Sequence, residues 1–333
     1  MKIVLLPGDG IGAEVMAEAE KVLHVLLPEA ELARHDLGGT AIERCGDPLP
    51  PATLEAALAS DVVLMGAVGA NDMSWTDKNP EDGMFALRSA LDVYANIRPF
   101  SADGVDLLVV RELVGGLYFG PRGTRADGTV FDTMEYHPDQ VERIVRKGFA
   151  LAQARDGRLT SVDKANVLAT SRMWRATVER LAPEYPGVVV DHLLVDTAAM
   201  RLVQDVGAFD VIVTENTFGD ILSDVAAGVV GGLGEAASAC LADDGPGLFE
   251  PVHGTAPDIA GRGIANPVAM LRSTALGLEL GLGRPHEARR LNEAIDLVLT
   301  QRSTPDRGGS ATTNEVGDAI VAALRTREVV DVA

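Results

Sequence analysis

A layered α/β fold is the architecture this sequence of 333 residues predicts, and three features point to it. Short apolar runs at 62–68, 107–110, 159–162, 188–195 and 211–213 have the length and β-branched content of buried strands. Helical patterns such as 138–155 fall between them, and this alternation places most strands in one central sheet flanked by helices. An apolar content of 47% supplies core enough for two domains or one large α/β unit.

The opening segment KIVLLPGDGIGAEVMAEAEKVLHVL reads as a strand, a glycine turn and an amphipathic helix. Its glycines, Gly8, Gly10 and Gly12, have GxGxG spacing and not the GxGxxG of a dinucleotide-binding Rossmann turn. They predict a tight strand-to-helix turn at the edge of a cleft, where glycine permits positive φ. Further on, 228–247 is rich in Gly and Ala and ends in LADDGPG, which reads as a packed helix followed by an exposed turn. No repeat, low-complexity tract or polar linker separates the ends of the chain. A second domain must therefore be continuous with the first, the chain crossing between them more than once and returning near 228–247.

Composition narrows the function. A net charge of −20 repels phosphate backbones and anionic lipid, so neither nucleic acid nor membrane is an expected partner. The N-terminus turns polar after four apolar residues, too few for a signal-peptide core, and no apolar run reaches eighteen. A cytoplasmic location is expected. Cys45 and Cys240 lack CxxC spacing and read as buried small apolar residues, not as a disulfide or zinc site. An acidic protein that uses an anionic substrate must concentrate positive charge locally.

The most informative segment is Glu215-Asn-Thr-Phe-Gly-Asp-Ile-Leu-Ser-Asp224. It places Asp220 and Asp224 four residues apart, on one face of a helix. Two such carboxylates are either solvated acids or oxygen ligands for a hard cation such as Mg²⁺ or Mn²⁺. Asp196, closing the apolar strand in HLLVDTAAM, could complete the set or simply cap a helix. Lys164 follows a strand in TSVDKANVL, where a partly buried amine can act as a base in its neutral form or snorkel to water. Arg88, Arg98 and Arg111 each sit beside apolar segments. Read singly they are surface ion-pair residues; together with the acids they suit a di- or tricarboxylate. The loop Glu250-Pro-Val-His-Gly-Thr-Ala-Pro-Asp-Ile-Ala-Gly-Arg-Gly-Ile-Ala-Asn266 reads, on physical grounds, as a functional loop of unknown ligand.

LPGDGIGAEV, NIRP, VRELVGGLYFG, VDKANVL, TENTFGDILSD and FEPVHGTAPDIAGRGIANP, in this order over nearly the whole chain, closely resemble the blocks of the β-decarboxylating dehydrogenase family. That family includes isocitrate, 3-isopropylmalate, homoisocitrate and tartrate dehydrogenases, and RELVGGLYFG and ENTFGDILSD are most similar to the 3-isopropylmalate branch. The resemblance implies a two-domain fold of the isocitrate/isopropylmalate dehydrogenase type with a continuous central sheet. A large domain would comprise 1–98 and 232–333 and carry most of the cofactor site. A small central domain, 99–231, would carry the metal and substrate residues and the contact of a homodimer with shared active sites.

The implied reaction is oxidation of a 3-substituted malate by hydride transfer to NAD⁺, then loss of CO₂. By motif, Asp220 and Asp224 with Asp196 of the partner subunit would hold Mg²⁺ or Mn²⁺. Arg88, Arg98 and Arg111 would grip the substrate carboxylates, and Tyr118 and Lys164 would be the acid/base pair, the lysine again lent by the partner. His253, Gly254, Ala256, Asp258 and Asn266, with Glu250 nearby, would form the adenosine end of the NAD site. Asp258 would bond the ribose and repel the 2′-phosphate of NADP.

Three departures from the family pattern stand out: Ala13 in place of a common proline, Met84-Phe85 in place of Leu-Leu, and a short segment at 99–106. Met84 and Phe85 would line the pocket for the substrate's alkyl group, so they bear on specificity. The family also contains non-catalytic regulatory subunits, but retention of Lys164, Tyr118 and all three acids favours an enzyme.

Overall fold

The structure, a computed structural model, describes residues 1–69, 78–102 and 104–331. The chain divides into two compact units, one comprising Met1–Asp92 with Leu233–Ala333 and the other Val93–Gly232. Each unit holds five strands paired side by side.

In chain order, the first unit opens with β1 (Lys2–Gly8), α1 (Gly12–Leu26), β2 (Glu31–Arg34), α2 (Gly39–Cys45), α3 (Pro51–Leu58), β3 (Val62–Ala67) and α4 (Pro80–Ala90). The second contains β4 (Ala95–Ala102), β5 (Val105–Glu112), a small hairpin of β6 (Arg122–Thr124) and β7 (Val130–Asp132), α5 (Pro138–Gln153), β8 (Arg158–Asp163), α6 (Ala169–Leu181), β9 (Val189–Leu194), α7 (Val195–Gln204), β10 (Val211–Thr214) and α8 (Asn216–Val230). The chain then completes the first unit with β11 (Ala237–Leu241), β12 (Gly247–Pro251), α9 (Val268–Leu276), α10 (Pro285–Leu299) and α11 (Thr313–Asp331).

Within the first unit the strand order is β2-β1-β3-β12-β11, parallel except for the antiparallel pair β11 and β12. Strands β1 and β3 are almost wholly buried, which is why they read as continuous apolar runs and not as alternating ones. The glycine turn behaves as its sequence predicts: Gly8 and Gly10 have φ of +71° and +53°. A Cβ on Gly10 would lie 2.1 Å from the carbonyl oxygen of Thr255, so the turn can pack on that loop only without a side chain. The Ile11 amide bonds the same oxygen at 2.9 Å.

Within the second unit the order is β4-β5-β10-β8-β9, with β4 antiparallel to β5 and the rest parallel. β4 and β5 pair from Ala95–Glu112 down to Ala102–Val105. The short segment at 99–106 thus falls within the paired ends of β4 and β5, with Gly104 at φ +77°; residue 103 lies outside the described residues.

Two expectations are corrected here. The 228–247 segment is not a packed helix: after the end of α8 it forms β11, and a turn then leads into β12. Ala and Cys in β11 are small because the strand is buried inside the sheet, which helical propensity alone does not reveal. Cys45 is exposed at the end of α2, where its thiol bonds the Ala41 carbonyl, whereas Cys240 is buried as expected.

Gly10→Ala is expected to destabilise the protein by roughly 2–5 kcal/mol, the sum of positive-φ strain and a backbone clash. Gly46→Ala, also at positive φ but with nothing within 4 Å of the new Cβ, should cost only about 1–2 kcal/mol. Urea denaturation midpoints of the two variants measure the difference; equal losses would show that strain alone, and not the close approach to Thr255, matters.

Candidate active site

Strand register assembles the charged core of the second unit. Asn96 on β4 lies directly opposite Arg111 on β5, and Arg98 opposite Val109, so Asn96, Arg98 and Arg111 share one face of the sheet. Helix α8 starts two residues after β10 and lies over that face. Gly219 in its first turn makes this approach feasible, since a Cβ there would fall 2.6 Å from Cγ of Arg111.

Both arginines are buried and fully engaged. The Nε and Nη2 of Arg111 donate to Oδ1 of Asn216 at 3.0 and 2.7 Å, and its Nη1 pairs with Asp220. The Nε of Arg98 donates to Asn96 at 2.7 Å and its Nη1 to Ser223 at 2.6 Å, with Asp220 and Asp224 at 3.6 and 3.8 Å. Tyr118, on a short 3₁₀ turn at Gly116–Tyr118, donates its hydroxyl to Oδ2 of Asp220 at 3.1 Å.

The electrostatics follow from burial. Burial and the Asp220 carboxylate hold the Tyr118 proton above the ordinary phenol range. Burial, opposed by Arg98 and aided by Asp220, raises the Asp224 carboxyl. Asp220 and Asp224 remain 38% and 54% exposed, so the arginines sit beneath two carboxylates that still face outward. Among the described residues no three His, Cys, Asp or Glu side chains converge on one point. Asp220 and Asp224 present carboxylate oxygens on one helical face, a donor type that would suit Mg²⁺ or Mn²⁺ if further oxygens came from outside this chain.

Lys164 and Asp196 pair with each other at 2.8 Å, and the lysine holds the Asp196 carboxyl below its usual range. Asp196 does not close a strand: β9 ends at Leu194, and Asp196 occupies the first turn of α7, where it is largely exposed.

In the first unit, Arg88 is buried at the end of α4 and bonds Glu250 of β12 at 2.6 Å. Glu250, expected near the cofactor, is the counter-ion of Arg88. Met84 and Phe85 lie one turn before Arg88 and are half-buried.

On the loop after β12, the Nδ1 of His253 donates to the Gly254 carbonyl at 3.0 Å, while its buried Nε2 has no partner among the described residues. Burial pushes this imidazole below its ordinary value. Ala256 adopts φ +41°, and Gly254 and Asp258 are exposed. Asn266 is buried and committed to structure, donating to Asp306 at 3.0 Å and accepting from the Val268 amide at 3.1 Å.

Sequence reasoning missed the residues that hold the arginines and Tyr118 in place. Glu112, fully buried at the end of β5, accepts the Val114 and Gly115 amides at 3.0 and 2.9 Å. Asn216 donates to the Leu113 and Gly115 carbonyls, and its amide bonds the hydroxyl of Tyr136, which in turn donates to Glu215 at 3.3 Å. A Glu beside Arg in RELVGG and an Asn in ENTFGD were the available signals.

Burial lifts Glu112 to about 7, outweighing the amides of Val114 and Gly115, Tyr136 and Arg143. Its folded value exceeds the unfolded value, so the folded state binds the extra proton and stability falls as pH rises through this window, levelling off above about 7. Denaturation midpoints of the wild type relative to Glu112→Gln should therefore drop between pH 5 and 7. A constant difference across that range would contradict the assignment.

The family model described as isocitrate/isopropylmalate dehydrogenase matches residues 2–320. The chain is 46% identical to a 3-isopropylmalate dehydrogenase of Bacillus anthracis, covering 99% of this chain and 98% of that protein. It is 45% identical to the one from Zymomonas mobilis, covering 97% and 100%. Among solved structures, an isocitrate dehydrogenase from Methylococcus capsulatus superposes with a TM-score of 0.91 at 38% identity, covering 97% of this chain and 99% of that one. A β-decarboxylating dehydrogenase from Thermococcus kodakarensis gives 0.82 at 35%, covering 98% and 96%. The two-domain α/β fold expected from the sequence is thus the one these proteins share, and the chain belongs to the isocitrate/isopropylmalate dehydrogenase family.

Proposed function

We propose that this protein catalyses the NAD-dependent oxidative decarboxylation of 3-isopropylmalate to 4-methyl-2-oxopentanoate, a step of leucine biosynthesis, in the cytoplasm. The observation that carries the reading is the cluster of Arg98, Arg111, Tyr118, Asp220 and Asp224: two buried guanidinium groups under two outward carboxylates and a proton-bearing phenol. Among the described residues no helix is long and apolar enough to cross a membrane.

In this reading Arg98 and Arg111, with Arg88, bind the substrate's carboxylates, and their existing partners fix the guanidinium planes before substrate arrives. Asp220 and Asp224, joined by Asp196 of the partner subunit, would hold Mg²⁺ or Mn²⁺. Such an ion supplies Lewis acidity at the substrate's hydroxyl and neighbouring carboxylate. Lys164 of the partner subunit would take the substrate's hydroxyl proton, and NAD⁺, when bound, would supply the hydride acceptor. Tyr118 keeps its proton at neutral pH and delivers it to the carbon from which CO₂ departs.

Asp258, exposed on the 250–266 loop with His253, Gly254 and Ala256, accepts the ribose hydroxyls of NAD and would repel an added 2′-phosphate. Asn266 would act chiefly by shaping that loop through its bonds to Asp306 and Val268. The Met1–Asp92/Leu233–Ala333 unit is then the cofactor-carrying domain and Val93–Gly232 the dimer-forming one. Support for the dimer comes from apolar side chains left exposed on α7 and α8, namely Met200, Val203, Ile221 and Val229. Half-buried Met84 and Phe85 beside Arg88 offer an apolar surface, which suits an alkyl group at C3 better than the third carboxylate of isocitrate or homoisocitrate.

Steady-state assays with NAD⁺ and Mg²⁺ across malates bearing H, methyl, isopropyl or benzyl at C3, together with tartrate and homoisocitrate, test the substrate. The isopropyl compound should give the highest kcat/KM, and the methyl compound should be roughly 10–200-fold poorer. A higher value for tartrate or homoisocitrate would overturn the substrate assignment, and full activity in excess EDTA would overturn the metal.

Shared sites have their own test. Lys164→Ala and Asp224→Ala, each inactive alone, should regain part of the activity when mixed under subunit exchange, because one site of each heterodimer is intact. Heterodimers that form but stay inactive would mean that each chain builds its own site.

A further inference from the structure

We propose that Glu112 and Tyr136 are positioning residues that jointly set the placement of Arg111 and Tyr118. This rests on the reading of Arg111 as a substrate-binding residue and Tyr118 as the acid.

The argument is geometric. Arg111 and Tyr118 are joined by the turn 112–116, which leaves the sheet after Leu113, whose amide still bonds the Tyr94 carbonyl. Past that point it leaves the strand pairing of β5, and its Gly116 amide bonds the Glu135 carbonyl at 3.0 Å. Its amides at Val114 and Gly115 are bound by the Glu112 carboxylate, and its carbonyls at Leu113 and Gly115 by the Asn216 side chain. The same Asn216 side chain accepts two bonds from Arg111. Its backbone amide donates to the Tyr136 hydroxyl at 3.0 Å, so Tyr136 fixes the start of α8 and with it the amide that grips Arg111.

Tyr136 also packs directly on the turn. Cβ atoms on Gly115 and Gly116 would lie 2.6 and 2.4 Å from its ring carbon Cε1 and its hydroxyl oxygen. The 3₁₀ turn bearing Tyr118 therefore rests against the Tyr136 ring, which is itself braced edge-on by Trp174 at 6.3 Å between centroids. Its hydroxyl donates to Glu215, the N-terminal cap of α8, at 3.3 Å. One phenol thus ties the turn carrying Tyr118 to the helix carrying Asn216 and Asp220. Neither Glu112 nor Tyr136 need touch substrate.

The decisive measurement is a double-mutant cycle of Tyr136→Phe and Tyr118→Phe, read as kcat and as KM for NAD⁺ on folded, dimeric enzyme. Tyr136→Phe should lower kcat about 10- to 100-fold, the scale of a slightly misplaced catalytic group, without changing KM for NAD⁺. In the Tyr118→Phe background the same change should lose less, because one of the two groups it positions is gone. If Tyr136→Phe does not fold, Glu112→Gln serves in its place, since its amide turns a donor toward one of the two turn amides. Additive losses, or wild-type kcat with only a lower Tm, would overturn the inference and leave Tyr136 a packing residue. A fully active Tyr118→Phe would overturn the site reading itself and the inference with it. A damaged Tyr118→Phe beside an undamaged Tyr136→Phe would overturn the inference alone.

Discussion

Burying the Arg111 guanidinium under α8 is the constraint on which the second unit's arrangement depends. A buried cation without partners is far too costly to persist, so every group around it must face it with an acceptor. Asp220 and the Asn216 carbonyl do so, and both come from the first turns of α8. That fixes where α8 must begin, immediately after β10, and why its approach is through Gly219. The helix is locked to the sheet by electrostatics as much as by apolar packing. The side effect is functional: Asp220 is held beside Arg111 while its carboxylate stays partly exposed.

An ion pair buried in this way is poor evidence of stability, because apolar residues of like volume would often hold a fold at least as well. Its presence argues for geometry. The pair Lys164 and Asp196 shows the contrast. It sits near the surface, linked at 2.8 Å with the carboxylate mostly exposed, and contributes little to holding the fold. Residues so weakly tied to their own chain remain available to another molecule, which is consistent with a site completed across a dimer contact.

How much of this was legible in the sequence depended on what each signal was made of. Buried parallel strands such as β3, β5 and β10 were evident, because burial on both faces forces a continuous apolar run. Asp220 and Asp224 were placed on one helical face by spacing alone. β11 was missed, since Ala-Ser-Ala-Cys-Leu carries no strand preference and its conformation is imposed by β12. Asp196 was placed on a strand because the chain enters α7 with no break after β9. Tyr136 and Asn216 escaped for a different reason: their roles exist only once residues some eighty to one hundred positions apart meet, and no local pattern encodes such a meeting.

The position of Arg88 gives specificity a physical handle. It is anchored by Glu250 from behind, so its guanidinium cannot shift to follow a differently shaped substrate. Met84 and Phe85, on the preceding turn of the same rigid helix, move with it as one body. With Arg88 as the proposed carboxylate anchor, a change of C3 substituent would be absorbed by side-chain volume on α4 and not by movement of that anchor. Leu-Leu and Met-Phe differ in this: methionine is adaptable and phenylalanine offers a flat, stiff wall. Such a pair tolerates variation in the length of an alkyl group along the methionine and resists variation in its width against the ring. Discrimination among malates by this enzyme should therefore follow the width of the C3 group more steeply than its length.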